Sequence, residues 1–444
     1  MRELPKELPP PVKPRLDRLK RGDEEIKMIT QVRCYELITP LFGGGVNPGE
    51  ADPITVVRGT EIRGQLRFWW RACRGGRFNG NLAEMREAED KLWGATSTEK
   101  KALPSQVDVV LLTWHAGESE QPFEVVADNR TGRPKPRLKA KESVALPYAA
   151  FPLQPSEEEI RAGGIGMKTK TVRTNVSFTL KITYPDKQQQ EVEAALWAWE
   201  TFGGVGARTR RGFGALKLVS VDGKPITQPG AAQIEAEIRQ ALEKHVMSGM
   251  WPDGVPHLSL EPQMKITGRH AEPKAAWDYL IRHLRNFRQS RSGGSPRQSG
   301  RSRWPEPDEI RRLTGCQCSR HAVPLSNIGK FPRAAFGLPV VFHFKDRDAG
   351  DPCDTKLTCG EQDCDRLASP LILRPLACRD GAVGLAMVLE GTGVGMVPGG
   401  LVLEKEEGSE ESWPVEAMID VNEAQNIPPL NGERDVLQAF LKRI

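Results

Sequence analysis

An α+β fold of two successive units is what this sequence predicts. Three observations predict it. The order strand, helix, strands, helix, strand runs through the first half and can be drawn again in the second. Apolar spacing switches between a period of two and a helical period at each of those elements. At 444 residues, the chain is also too long for one ordinary core.

The first unit opens at Ile29, where ITQVRCYELIT alternates as a strand and runs into a glycine loop, Phe42 to Gly45, with turn residues Asn47, Pro48 and Gly49. A helix follows from near Arg58. At about 100° per residue, Ile62, Leu66, Trp69, Trp70 and Cys73 share one face and Arg63, Arg67, Arg71 and Arg74 an adjacent one. Val107 to Trp114 reads as the second strand. Residues 117 to 171, with Arg130, Arg133, Lys135, Arg137, Lys139 and Lys141, read as long surface excursions. Val176 to Tyr184 is a third strand, Val192 to Phe202 a second helix ending at Gly203, and Phe213 to Val221 a fourth strand.

The second unit begins near His257. Ser259 to Thr267 reads as a strand and Ala275 to Phe287 as a helix, followed by strands at Leu338 to Phe344, Leu371 to Leu376 and Ala382 to Leu389. Its last helix is weak. The organisation expected is therefore a flexible arm at 1–28, a first ferredoxin-like unit at 29–225, a connection at 226–256 with an amphipathic helix from Gln233 to His245, and a second ferredoxin-like unit at 257–444. Both units carry long insertions.

Composition narrows the function. The balance of 63 Lys and Arg against 58 Asp and Glu gives a net charge of +5, too mild to identify a nucleic-acid partner by itself. Mean hydropathy is −0.47, and no stretch reaches the roughly 18–20 apolar residues of a membrane span, so a cytoplasmic protein is expected. The seven histidines are scattered, with no metalloprotease, hydrolase or paired-carboxylate signature. His115 and His343 remain the candidates for a general base.

Charge is concentrated in three places. GGVGARTRRGFGALKL, Gly203 to Leu218, follows a helix and precedes a strand, the reverse of a dinucleotide-binding loop. Gly204, Gly206 and Gly212 would let backbone N–H groups approach an anion, and Arg208, Arg210 and Arg211 add charge, against the plainer reading of an exposed turn. The helix arginines are the second place, with Phe68 beside them as a stacking candidate and Trp69 and Trp70 assigned to the core. The third is Arg282 to Arg303, a Ser- and Gly-rich stretch without acidic residues. Among the cysteines, Cys316, Cys318, Cys359 and Cys364 are weak zinc candidates against unligated thiols, since none forms a C-x-x-C pair.

YELITPLFGGG (Tyr35 to Gly45), RGTEIRGQLRFWWRA (Arg58 to Ala72), LWGATS (Leu92 to Ser97) and the loop Gly204 to Gly214 resemble the RAMP superfamily. More narrowly, they resemble subunit one of type III-B CRISPR (Cmr) effector complexes. GRSRWPEPDEIRRL (Gly300 to Leu313), FPRAAFGLPVVFHF (Phe331 to Phe344) and RLASPLILRP (Arg366 to Pro375) extend the similarity into the second half. The resemblance implies two ferredoxin-like (RRM-like) modules and a non-catalytic subunit capping one end of a RAMP filament in antiviral defence. It also implies contact with guide RNA toward its 3′ end, with target RNA and with other RAMP subunits, and no cofactor. The residues expected on RNA are Arg63, Arg67, Arg71, Arg208, Arg210, Arg211, Arg301 and Arg303, then Arg58, Arg333 and Arg374. A guide-processing endoribonuclease and a purely architectural end-cap are the alternatives.

Overall fold

The computed structural model describes residues 18–21, 24–45, 50–52, 55–95, 103–128, 134–140, 147–293, 300–321, 323–344, 346–361, 364, 366–405 and 411–444. Most of the N-terminal arm, Asn47 to Gly49, the end of the Leu92 to Ser97 motif, Arg130, Arg133, Lys141 and the centre of the Ser/Gly/Arg stretch, Arg297 included, lie outside the described residues.

The first unit is built as its pattern predicts. Strand β1 (Glu24–Leu37) is followed by helices α1 (Gly59–Arg74) and α2 (Leu82–Trp93), strands β2 (Asp108–His115) and β3 (Ser177–Pro185), helix α3 (Gln189–Phe202) and strand β4 (Leu216–Val221). The sheet order is β4-β1-β3-β2, all antiparallel, which is the fourth-first-third-second order of a split βαβ unit. β1 starts earlier than Ile29, because Arg18–Arg21 pairs back on its first residues. α1 and α3 pack together, and Ile62, Leu66, Trp69 and Trp70 meet Val192, Leu196 and Trp199 over Tyr35, Phe178 and Leu180 of the sheet.

The segment between β2 and β3 is more than a surface excursion. Phe123–Asp128 pairs with Lys135–Ala140, and Phe123, Leu153 and Val172 are buried in a second core with residues of the second unit.

α4 (Ile234–His245) leads into that second unit, whose sheet has three strands. β5 (Met264–Ile266) precedes α5 (Pro273–Arg288), and β8 (Leu371–Cys378) and β9 (Gly381–Val388) form a hairpin, in the order β5-β9-β8. Among the described residues this sheet has no fourth strand. Leu338 to Phe344 belongs elsewhere: β6 (Val340–Phe342) joins β7 (Thr355–Cys359), β10 (Leu401–Lys405) and β11 (Ser412–Val415) in a separate four-stranded sheet, reached through helix α6 (Glu306–Thr314). The final helix, α7 (Val436–Leu441), packs Phe440 against Phe287 of α5.

Alternation along β8 fixes how the units meet. Leu371 and Leu373 pack in the core of α5, whereas Ile372, Leu376 and Cys378 enter the core of the first unit. A sheet covered on both faces needs the near-continuous apolar run that β8 carries. The polar exception is Arg374, fully buried on the side facing the first unit. Its guanidinium donates to the carbonyls of Trp199 (3.4 Å), Gly203 and Leu216 (2.7 Å), the first two at the C-terminal end of α3. Helix ends leave carbonyls without partners and carry partial negative charge, so a cation there serves both needs. Burial lowers the Arg374 pKa to about 9, with Glu200 opposing.

Two outcomes follow. Arg374→Ala removes the donor from the buried Gly203 and Leu216 carbonyls, while that of Trp199 keeps the Gly203 N–H at 2.9 Å; at about 1–3 kcal/mol for each carbonyl left unpaired, urea unfolding of the full chain is expected to show a loss of about 3 kcal/mol, with Arg374→Lys intermediate. The second concerns His245, which is buried and stacks on Trp197 at 5.1 Å. Burial first, then Lys244, lowers its pKa from 6.5 to about 4, with Arg74 adding and Glu193 opposing. Below about pH 6.5 the unfolded chain takes a proton that the folded ring refuses. Its stabilisation is thus complete above that pH and declines as the pH falls toward about 4. Melting curves of His245→Phe should lose less Tm on acidification than the parent.

Candidate nucleic-acid interface

The arginines singled out by the sequence fall into two electrostatic classes. Those of α1 face α2. Arg67 pairs with Glu89 (2.6 Å) and Asp90 (3.1 Å) and donates to the Gly94 carbonyl, and Arg71 pairs with the same Glu89 at 2.5 Å. Arg63 donates to the Trp93 carbonyl at 3.3 Å and Arg58 to that of Gly44. The basic stripe is real, but the acidic face of the next helix is laid over it. Phe68 is half-buried against Trp69 instead of free to stack, and Arg210 lies over its ring at 5.5 Å.

Three more arginines have partners within the chain. Arg333 is ion-paired with the fully buried Glu306 at 3.1 Å, Arg301 with Asp308 at 2.8 Å, and Arg374 has no exposed surface. The expectation that Arg374 meets RNA is corrected by that burial. Arg303 is exposed.

The glycine loop, 203–214, is bent inward. Gly206 has φ +81, and a Cβ there would meet the Phe42 carbonyl at 2.6 Å; Gly212 has φ +84 and lies against the Trp277 indole of α5. These glycines serve close packing between the units. The Gly206 N–H that could have met an external anion donates to Glu61 of α1. Arg210 donates to the Ser369 carbonyl at 2.5 Å, Arg211 to that of Leu371 at 3.0 Å, and Trp277 Nε1 returns a bond to the Arg211 carbonyl at 2.6 Å. The Gly204 carbonyl accepts from Trp199 Nε1 at 3.0 Å.

What the loop does assemble is a group of guanidiniums with no ion-paired carboxylate among the described residues. Arg208, held at φ 58, and Arg211 sit beside Arg288 at the end of α5, Arg210 adjoins Arg211, and Arg288 donates to the Tyr148 hydroxyl at 2.9 Å. Burial, then Arg288 and Arg208, lower the Arg211 pKa to about 9, and burial lowers Arg208 and Arg210 as well. The Nε atoms of Arg208 and Arg288 are buried with no hydrogen-bond partner among the described residues. Arg333 Nη1 donates to the Arg288 carbonyl at 3.2 Å, extending the patch. Like charges gathered in a partly desolvated place are costly unless an anion joins them. The sequence signalled Arg288 only as one basic residue among many, and nothing in it marked Tyr148.

Of the histidines, His115 Nδ1 lies 3.2 Å from the Asn175 carbonyl, whereas the exposed His343 has Nδ1 at 2.6 Å from Asp354. The cysteine expectation changes: Cys316 is exposed, Cys359 is buried in the apolar core of the four-stranded sheet, and Cys364 packs on that core. Among the described residues, Cys318 alone of those four joins a group of possible ligands, with His321, Asp346 and Asp351. No helix among the described residues is long and apolar enough to cross a membrane.

The family model of the RAMP superfamily matches residues 34–217, from β1 through the glycine loop to β4. Two CRISPR system Cmr subunits of Pyrococcus furiosus are similar in sequence. Cmr1-2 is 26% identical over 187 residues, 41% of this chain and 91% of its own length. Cmr1-1 is 23% identical over 209 residues, 46% of this chain and 50% of its own length. The crystal structure of apo Cmr1 from Pyrococcus furiosus matches 81% of this chain and 88% of its own at 14% identity and a TM-score of 0.45. A chain of the type III-B Cmr-beta complex bound to cognate target RNA matches 93% and 99% at 13% identity and a TM-score of 0.44. Residues 34–217 of this chain are thus similar to the RAMP superfamily, and the two curated relatives it resembles are Cmr subunits.

Proposed function

We propose that the chain is a non-catalytic, RNA-binding subunit of a type III-B CRISPR effector ribonucleoprotein in the cytoplasm. It caps one end of the RAMP filament and contacts the 3′ side of the guide RNA and the target RNA paired with it. On this reading 29–225 and 257–444 are two ferredoxin-like modules joined by 226–256, the second shortened in its sheet. The observation that carries it is the group Arg208, Arg210, Arg211 and Arg288, in which the buried Nε atoms of Arg208 and Arg288 lack a partner among the described residues and burial lowers the pKa of Arg208, Arg210 and Arg211, a combination that calls for an anion. The names of the curated relatives support the assembly. Guanidiniums that neutralise phosphates read backbone and shape, leaving sequence to base pairing. Arg58, Arg63, Arg67 and Arg71 would then shape the α1–α2 edge, and Arg301 and Arg303 would border the patch. Other RAMP subunits would meet the outer edge of β2, where Val110, Leu112 and Trp114 are exposed.

A second reading, guide-RNA cleavage, is favoured by the carboxylate that orients His343.

Single-stranded RNA binding measured across salt concentrations tests the first reading. Arg208→Asn with Arg288→Gln should lower the slope of log affinity against log salt by about 1.4, at about 0.7 per lost phosphate contact. Asn tolerates the left-handed backbone at position 208. Arg67→Gln with Arg71→Gln should leave the slope unchanged, and the opposite pattern rejects the patch. Repeat RNA incubated with the purified chain should remain intact; cutting that disappears in His343→Ala would establish the enzyme instead.

A further inference from the structure

We propose that Cys318, His321, Asp346 and Asp351 form a zinc site stapling the two irregular loops that flank β6. Each loop supplies a pair through a tight turn. The first closes with the His321 N–H on the Cys318 carbonyl at 2.9 Å, and residues three apart in a 3₁₀ turn eclipse, so thiol and imidazole lie on one side. The second closes with the Asp351 N–H on the Asp346 carbonyl at 3.1 Å, through Gly350 at φ +103, bringing the two aspartates together. One ligand atom from each of the four lies within 4.8 Å of the others.

The closest contacts are cation-like. His321 Nδ1 is 3.1 Å from Cys318 Sγ and 3.2 Å from both Asp351 oxygens. One ring nitrogen holds at most one proton, so it cannot satisfy a sulfur and a carboxylate at once. A cysteine–histidine–aspartate relay would use opposite nitrogens of the ring, and here both partners face the same one. A metal ion between them satisfies all three electron-pair donors, whose spacing approaches the roughly 3.5 Å that tetrahedral bonds of about 2.0–2.3 Å impose. A thiolate, an imidazole and carboxylates together suit zinc better than the all-oxygen cations.

The surroundings agree. The Asp351 side chain is 2% exposed, and Arg311 holds it at 3.0 Å and 3.3 Å, fixing its orientation and offsetting the negative charge of the ligands. The apolar core of the four-stranded sheet has twelve buried residues among those described. So small a core gains much from a cross-link between its loops.

The test is the metal content of the full chain, produced in zinc-supplemented medium, dialysed and analysed by plasma mass spectrometry. About one zinc per chain is expected, as for a structural site. Cys318→Ser with His321→Ala should lose it, while Cys316→Ser and Cys353→Ser should keep it. Cobalt substitution of the unaltered chain should give a thiolate-to-cobalt charge-transfer band, whether or not the variants fold. A parent chain free of zinc and without that band overturns the proposal, as does loss of zinc in Cys316→Ser or Cys353→Ser.

Discussion

Arg374 is the interaction on which the arrangement of the two halves depends. It stands in an otherwise apolar strand, between Ile372 and Leu376, and its partners are the carbonyls that end α3 and begin β4. Those carbonyls flank the glycine loop, so one side chain fixes the entry and the exit of the segment that carries Arg208 to Arg211. The loop in turn presses Gly212 and Phe213 against Trp277 of α5, where the two rings meet edge to face at 4.8 Å. Helix end, loop and facing sheet are thereby one hydrogen-bonded and packed unit.

The arginines illustrate how a charge's role is set by what stands opposite it. On α1, Glu89 receives both Arg67 and Arg71 while being nearly buried, so those cations are spent on holding α2 in place. At the loop, Arg211 interacts electrostatically with other arginines and a tyrosine. Two stripes of similar composition thus differ in what surrounds them, counter-charge on α1 and like charge at the loop.

The first unit was legible because its strands and helices are long enough for periodicity to speak: Ile62, Leu66, Trp69 and Trp70 announce their buried face, and the strand order follows from the element order. The second unit was less so. β5 has three residues in place of the longer strand expected, β6 pairs in a different sheet, and Pro339, with no N–H, keeps pairing from starting before Val340. The candidate site was partly visible. The glycine loop was found from its composition, but not that Gly212 and Gly206 serve internal contacts. Pairing partners such as Glu89 for Arg67 and Leu371 for Arg211 lie too far along the chain for spacing to reveal. Cys318 and His321 are three residues apart in the sequence, but the nearby carboxylates lie some 30 residues on, beyond what spacing can show.

The apolar core that runs from the sheet of the first half into β8 and β9 has a mechanical meaning. Ile372, Leu376, Val383 and Leu385 interlock with the same cluster as Trp199 and Leu216, so the halves cannot swing apart without opening a dry interior to water. A chain braced in this way keeps its shape under load, so any rearrangement that an encounter demands falls on the visitor.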